Sequence, residues 1–217
     1  MAEYTLESLV DTILDLSQAD MADQGDRHPS VADPTDVAAV ASAVLTERRD
    51  SMKEKGKEKA QDGGIVIVDR LDSDLPRVGV CPTEARQMIR HLLEIAIGSC
   101  ESGNTIVVTS SRDDELVKIA VLDDGRPFSV DDIPDDLYDT LDAVVLRAGE
   151  APVGDEKRIV VTPMGLTLAV IHALLVRQGG TLEVANGPSG GKQVTLAFPL
   201  DDSAFDSEGE SEIEMAG

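Results

Sequence analysis

Tryptophan is absent from this chain, and aromatic residues make up only 2% of its 217 positions. A core must therefore be built from Leu, Ile, Val and Ala, and an apolar content of 41% is sufficient for one. Cysteine is nearly absent. Cys81 and Cys100 have no metal-ligand spacing and give no disulfide framework. His28, His91 and His172 are scattered, with no partner spacing that suits zinc. No apolar run approaches the ~20 residues of a membrane span, and no signal peptide opens the sequence. A soluble, cytoplasmic protein without a membrane partner is expected. Lysine is rare, 7 against 12 Arg, and 42 acidic residues bring the net charge to −23. Such a surface repels nucleic acid, so no nucleic-acid partner is expected. The acidity has two readings: a solvated surface suited to a high-salt cytoplasm, or pairing with a basic partner.

What is present is organised around Ala85 to Pro127. A helix with apolar Met88, Ile89, Leu92, Leu93, Ile95, Ala96 and Ile97 presents a wide stripe that must face a sheet. Strands at Thr105–Ser110 and Leu116–Leu122 follow, and the second delivers Asp123 and Gly125 at its end. A later helix, Gly165 to Gln178, closes on Gly179-Gly180.

Around this centre, residues 1–22 hold an amphipathic helix, Tyr4 to Ala22, whose apolar face suits either the chain's own domain or a second copy. Residues 23–35 read as a linker with Gly25, Pro29 and Pro34. Asp36 is positioned to cap a helix from Val37 to about Gly56. Ile65–Val68 reads as a short strand, Asp135–Arg147 as a helix, and Thr181–Val184 with Gln193–Pro199 as a hairpin. Residues 36–200 form the main domain. Residues 201–217 carry seven carboxylates and no base, and are expected to be a disordered acidic tail. The element order predicts an α/β fold: a two-layer α/β sandwich with one mixed sheet and helices on one face, preceded by an N-terminal helix.

Residues Pro34 to Leu200 resemble the ATP-binding domain of sensor histidine kinases, the GHKL or HATPase superfamily with its Bergerat-type fold. Three blocks carry the resemblance in family order. CPTEARQMIRHLLEIAIGS is similar to the N-box helix. IAVLDDGRPF is similar to the G1 box. TPMGLTLAVIHALLVRQGGTLEVANGPSGGKQVTLAFPL is similar to the G2 box and C-terminal hairpin. The resemblance implies that Asp123 would accept from an adenine amino group, that Gly125 would let backbone approach the base, and that Gly165 belongs to the phosphate side. Asp123, Gly125 and Gly165 are thus the candidate nucleotide pocket.

The same comparison marks departures. The N-box position that implies an Asn ligand for Mg²⁺ is Ile95, which has no donor or acceptor for a hard cation. The glycines implied at three phosphate-side positions are Pro127, Pro163 and Thr167. Between Asp123 and Asp142 stand eight Asp and a single base, Arg126. No His is followed by the Asp or Glu that the family's phosphoacceptor implies. No catalytic residue, no metal and no cofactor are therefore expected, ATP remaining compatible only with the Asp123 end. Two functions fit these residues. One is a degenerate regulatory or protein-interaction module of two-component-type signalling, a pseudokinase with lost Mg-ATP chemistry. Its expected partner is a signalling protein or response regulator, and homodimerisation through the N-terminal helix is an accompanying expectation. The alternative is a divergent but active histidine kinase domain, working in trans or as a nucleotide-gated switch.

Overall fold

In a computed structural model of the chain, the described residues are 34–56, 64–113, 115–129, 163–188 and 190–200. The expected helices at 4–22 and 135–147 and the acidic tail lie outside them. Helix α1, Val37–Gly56, begins where a capping side chain stops the backbone N–H groups from going unpaired. Asp36 Oδ1 accepts from the Ala39 N–H at 2.8 Å, the N-cap geometry expected from the sequence. Helix α2, Pro82–Ser99, starts on a proline, whose missing N–H costs nothing in the first turn. Helix α3, Pro163–Arg177, likewise begins on proline, two residues before the expected Gly165.

Five strands form one mixed sheet in the order β1-β2-β3-β5-β4. They are β1 Val66–Arg70, β2 Thr105–Arg112, β3 Leu116–Asp123, β4 Thr181–Asn186 and β5 Lys192–Pro199. Strand β1 runs parallel to β2, and the other pairs are antiparallel. Burial alternates along β3, with Val117, Ile119, Val121 and Asp123 turned inward. The three helices pack on each other and on the sheet. Between them lies an aliphatic core of Leu45, Met88, Ile89, Leu92, Ile106, Ile119, Leu168, Ile171 and Leu196. Phe198 and Phe128 are its aromatic members. This is the predicted α/β sandwich.

Two bridges close the domain at one end. Val78 pairs antiparallel with Thr35 on one side and with Leu200 on the other. Thr35, within the stretch read as a linker, is buried and donates from Oγ1 to the Val80 carbonyl at 2.5 Å. Thr35 is thus part of the folded domain. Across the helices, Gln178 Nε2 donates to Glu84, tying the end of α3 to the start of α2.

Candidate functional site

Strand alternation places the key carboxylate. Asp123 follows Val117, Ile119 and Val121 on the inward face of β3, so the pleat carries a charged group into the layer beneath the helices. Asp123 is 4% exposed. Its Oδ1 accepts from the Gly125 N–H at 3.0 Å and from the Lys192 N–H at 3.4 Å. Burial pushes its carboxyl above the usual range, against the opposing pull of the Lys192 charge and the two backbone N–H groups. The structure therefore brings Asp123 and Gly125 into direct contact.

Gly125 is required for space rather than conformation, since its φ is not left-handed. A Cβ there would stand 2.4 Å from the Ser99 carbonyl oxygen. That same oxygen accepts from the Arg126 N–H at 3.1 Å, docking the end of β3 onto the end of α2. Gly191 is tighter still: its Cβ would lie 1.9 Å from the Asp123 carbonyl oxygen. Neighbouring side chains fix the strand ends. Asp124 Oδ1 accepts from the Thr105 N–H at 2.8 Å, and Asn186 Oδ1 accepts from the Phe128 N–H at 2.7 Å. Burial and the charges of Asp123 and Asp124 push the Cys100 thiol up to about 11.

The remaining predicted residues sit on the helices. Gly165 is buried in the first turn of α3, a different element from the Asp123–Gly125 pair. Thr167, two residues further, is 1% exposed. Ile95 is 2% exposed and belongs to the core on α2. Its side chain offers no oxygen, so Mg²⁺ does not fit at this position. Among the described residues no group of three or more His, Cys, Asp or Glu could hold a metal ion. On the same helix, His91 Nδ1 lies 3.4 Å from Glu94 Oε2, and Arg48 Nη2 of α1 lies 3.7 Å from Glu94 Oε1. Burial raises the Glu94 carboxyl, but His91, Arg48 and Arg90 outweigh it and hold the group below its ordinary value.

One residue escapes the sequence reading. Lys192 opens β5 and is 1% exposed. Its Nζ donates to the Arg126 carbonyl and stands 5.4 Å from the centroid of the Phe128 ring. A signal for it exists: Phe198, Leu196 and Val194 alternate inward, and the same period carried back two residues reaches Lys192.

Residues 81–202, from the N-cap of α2 to just past β5, match the family of histidine kinase-, DNA gyrase B-, and HSP90-like ATPases. The chain belongs to that family. Sensor histidine kinase ZraS of Escherichia coli strain K12 is 30% identical over 135 residues, covering 62% of this chain and 26% of that protein. Sensor histidine kinase CusS of the same organism is 27% identical over 133 residues, 60% of this chain and 25% of that protein. The chain thus spans about a quarter of the length of the curated relatives it matches. Among solved structures, Acinetobacter baumannii histidine kinase AdeS superposes with a TM-score of 0.58 at 21% identity, over 91% of this chain and 79% of that one. Full-length ShkA in complex with AMPPNP gives 0.57 at 23% identity, over 90% and 36%. These two likenesses concern the fold. Within the family, this chain has the histidine kinase-type ATPase domain, matched in both sequence and fold. Among the described residues, no helix is long and apolar enough to cross a membrane.

Proposed function

We propose that the chain is a cytoplasmic signalling module of two-component type that has lost Mg-ATP chemistry and acts by binding another protein, a signalling protein or a response regulator. The observation that carries this reading is Ile95. It occupies the position where the family resemblance implies the metal-binding Asn, and its side chain is part of the aliphatic core at 2% exposure. A hydrocarbon there cannot neutralise a triphosphate through a cation. The sequence from Asp123 to Asp142 carries eight Asp and a single base, Arg126, and any carboxylate close to a triphosphate would repel it by about 1 kcal/mol per charge pair in water. The curated relatives, named as sensor histidine kinases, support the signalling context.

The deciding experiment is calorimetric titration of the chain with ATP, with Mg²⁺ and with a chelator, in high salt. No binding is expected in either arm. Micromolar binding that depends on Mg²⁺ would overturn the reading and favour a divergent but active kinase domain or a nucleotide-gated switch. That second reading rests on the Asp123–Gly125 contact. If ATP does bind, Asp123→Asn must weaken it, and unchanged affinity removes this second reading. Homodimerisation through residues 4–22 is part of the proposal. Light scattering should report a dimer for the full chain and a monomer for a chain beginning at Asp23.

A further inference from the structure

We propose that Lys192 is a built-in occupant of the base end of this site, a tethered cation filling the space a nucleobase would need beside Asp123. This deepens the proposed loss of nucleotide chemistry and rests on that reading's placement of the base end at Asp123. The backbone register sets it up. Val121 pairs with Val194 and Leu122 with Gln193, so the next position along the two strands sets Asp123 opposite Lys192. Both side chains are then on the inward face.

A fully buried lysine is rare unless it is paired, because the ammonium loses its hydration. Here the loss is offset from several directions. The ammonium donates to the Arg126 carbonyl. It stands over the Phe128 ring, 5.4 Å from the centroid, within the range of a cation–π contact. Asp123 provides the counter-charge. Phe128 is itself held, since Asn186 accepts its N–H at 2.7 Å and donates to its carbonyl at 3.5 Å. The Phe128 backbone is therefore fixed beside the lysine, whose ammonium faces the ring while its own backbone N–H reaches the Asp123 carboxylate.

The consequence for a ligand is direct. One Asp123 oxygen, Oδ1, already takes two backbone N–H groups, and the facing position on β5 carries a buried four-carbon chain. A base can enter only by expelling a buried charge from its partners. The pocket is closed by the chain's own side chain, independently of the metal end.

The test titrates the full chain with ADP in the presence of a chelator, so that the Ile95 end does not enter. Lys192→Ser should bind ADP at least about tenfold more tightly than the wild type, the gain expected when one blocking side chain is removed. Lys192→Met, which keeps the stem and drops the charge, should bind no better than the wild type. Equal affinity of the wild type and Lys192→Ser overturns the proposal, and so does an equal gain in the Met variant. The wild type offers a check that needs no substitution. Its Lys192 ε-methylene protons should be shifted upfield by the Phe128 ring current, with cross-relaxation to the ring protons. Random-coil shifts would overturn the proposal even if the Ser variant fails to fold. A silent Lys192→Ser chain removes the occupant alone, whereas Mg²⁺-dependent ATP binding by the wild type removes the proposed function.

Discussion

Replacing Gly125 with Ala adds one methyl group at the most crowded junction of the site. Its Cβ would stand 2.4 Å from the Ser99 oxygen, 2.9 Å from the Ser99 carbonyl carbon and 3.1 Å from Cys100 Cα. All three are main-chain atoms, so no rotamer change can relieve the contact. The end of β3 must retreat from the end of α2 by about 1 Å to bring the closest approach to ordinary contact. That movement stretches the Arg126 N–H bond to Ser99, now 3.1 Å. Overpacking of this kind costs about 1–3 kcal/mol and the weakened hydrogen bond about 1 kcal/mol more. The lower entropy of the unfolded alanine chain returns about 0.4–1 kcal/mol. A net loss of about 1–3.5 kcal/mol follows, or roughly 2–14 °C in Tm for a domain of this size. Gly79→Ala is the matched control, because nothing lies within 4 Å of its Cβ and its φ is not left-handed. It should be neutral, or stabilising by up to about 1 kcal/mol. Urea and thermal denaturation followed by circular dichroism measure both. If Gly125→Ala falls within about 0.5 kcal/mol of Gly79→Ala, the packing argument is wrong. If the loss is as calculated, a glycine after Asp123 is demanded by the α2–β3 junction whether or not a nucleotide ever binds.

Three further outcomes follow from the same structure. Ile95→Asn should lose about 2–4 kcal/mol in denaturation, because it trades a buried hydrocarbon for an amide in the aliphatic core; an unchanged Tm would show that this side chain is not structural. Glu94 is held below its ordinary value of 4.5, so its ionised form contributes stability above that pH and loses it as the pH falls through the lower folded value. The stability gap between wild type and Glu94→Gln should therefore shrink on acidification below 4.5, and a gap that does not change with pH refutes the ion-pair account. With the Cys100 thiol pushed up to about 11, roughly one molecule in a thousand is a thiolate at pH 8. Iodoacetamide should label Cys100 in a Cys81→Ser chain slowly at pH 8 and much faster above pH 10, whereas fast labelling at pH 8 would contradict its environment.

Much of the architecture is legible from residue patterns. The alternation of Val117, Ile119 and Val121 marks β3 and its inward face, the stripe from Met88 to Ile97 marks α2, and Asp36 marks the start of α1. The element ends are less legible because backbone pairing does not need apolar side chains. Strand β2 continues through Ser111 and Arg112, which pair with Lys118 and Val117, beyond the last apolar residue that betrays it. Helix α3 starts at Pro163 because a residue without an N–H suits a first turn, a cue weaker than the glycine that follows. The site is legible in half. Asp123 and Gly125 stand out from the acidic turn that ends the strand. Lys192 does not, because a lysine beside two glycines looks like a solvated hairpin residue. The inward period of Val194, Leu196 and Phe198 reaches it, and the register with β3 then sets it opposite Asp123.

The placement of β5 also governs how this domain can be made. Among the described strands β5 is the last to be synthesised, yet it lies between β3 and β4 and is the one strand that pairs with β4. Leu200, immediately beyond it, closes the bridge that Thr35 and Val78 begin. A nascent chain that has emerged only as far as β4 therefore exposes two unpaired strand edges, those of β3 and β4. Such edges invite pairing with other chains. The β3–β5 pairing that completes the sheet joins strands separated by the whole of α3 and β4, which makes closure slow compared with helix formation. The final eight-residue strand is thus the step on which productive folding waits, and premature termination just before it should yield an aggregating product rather than a smaller folded domain.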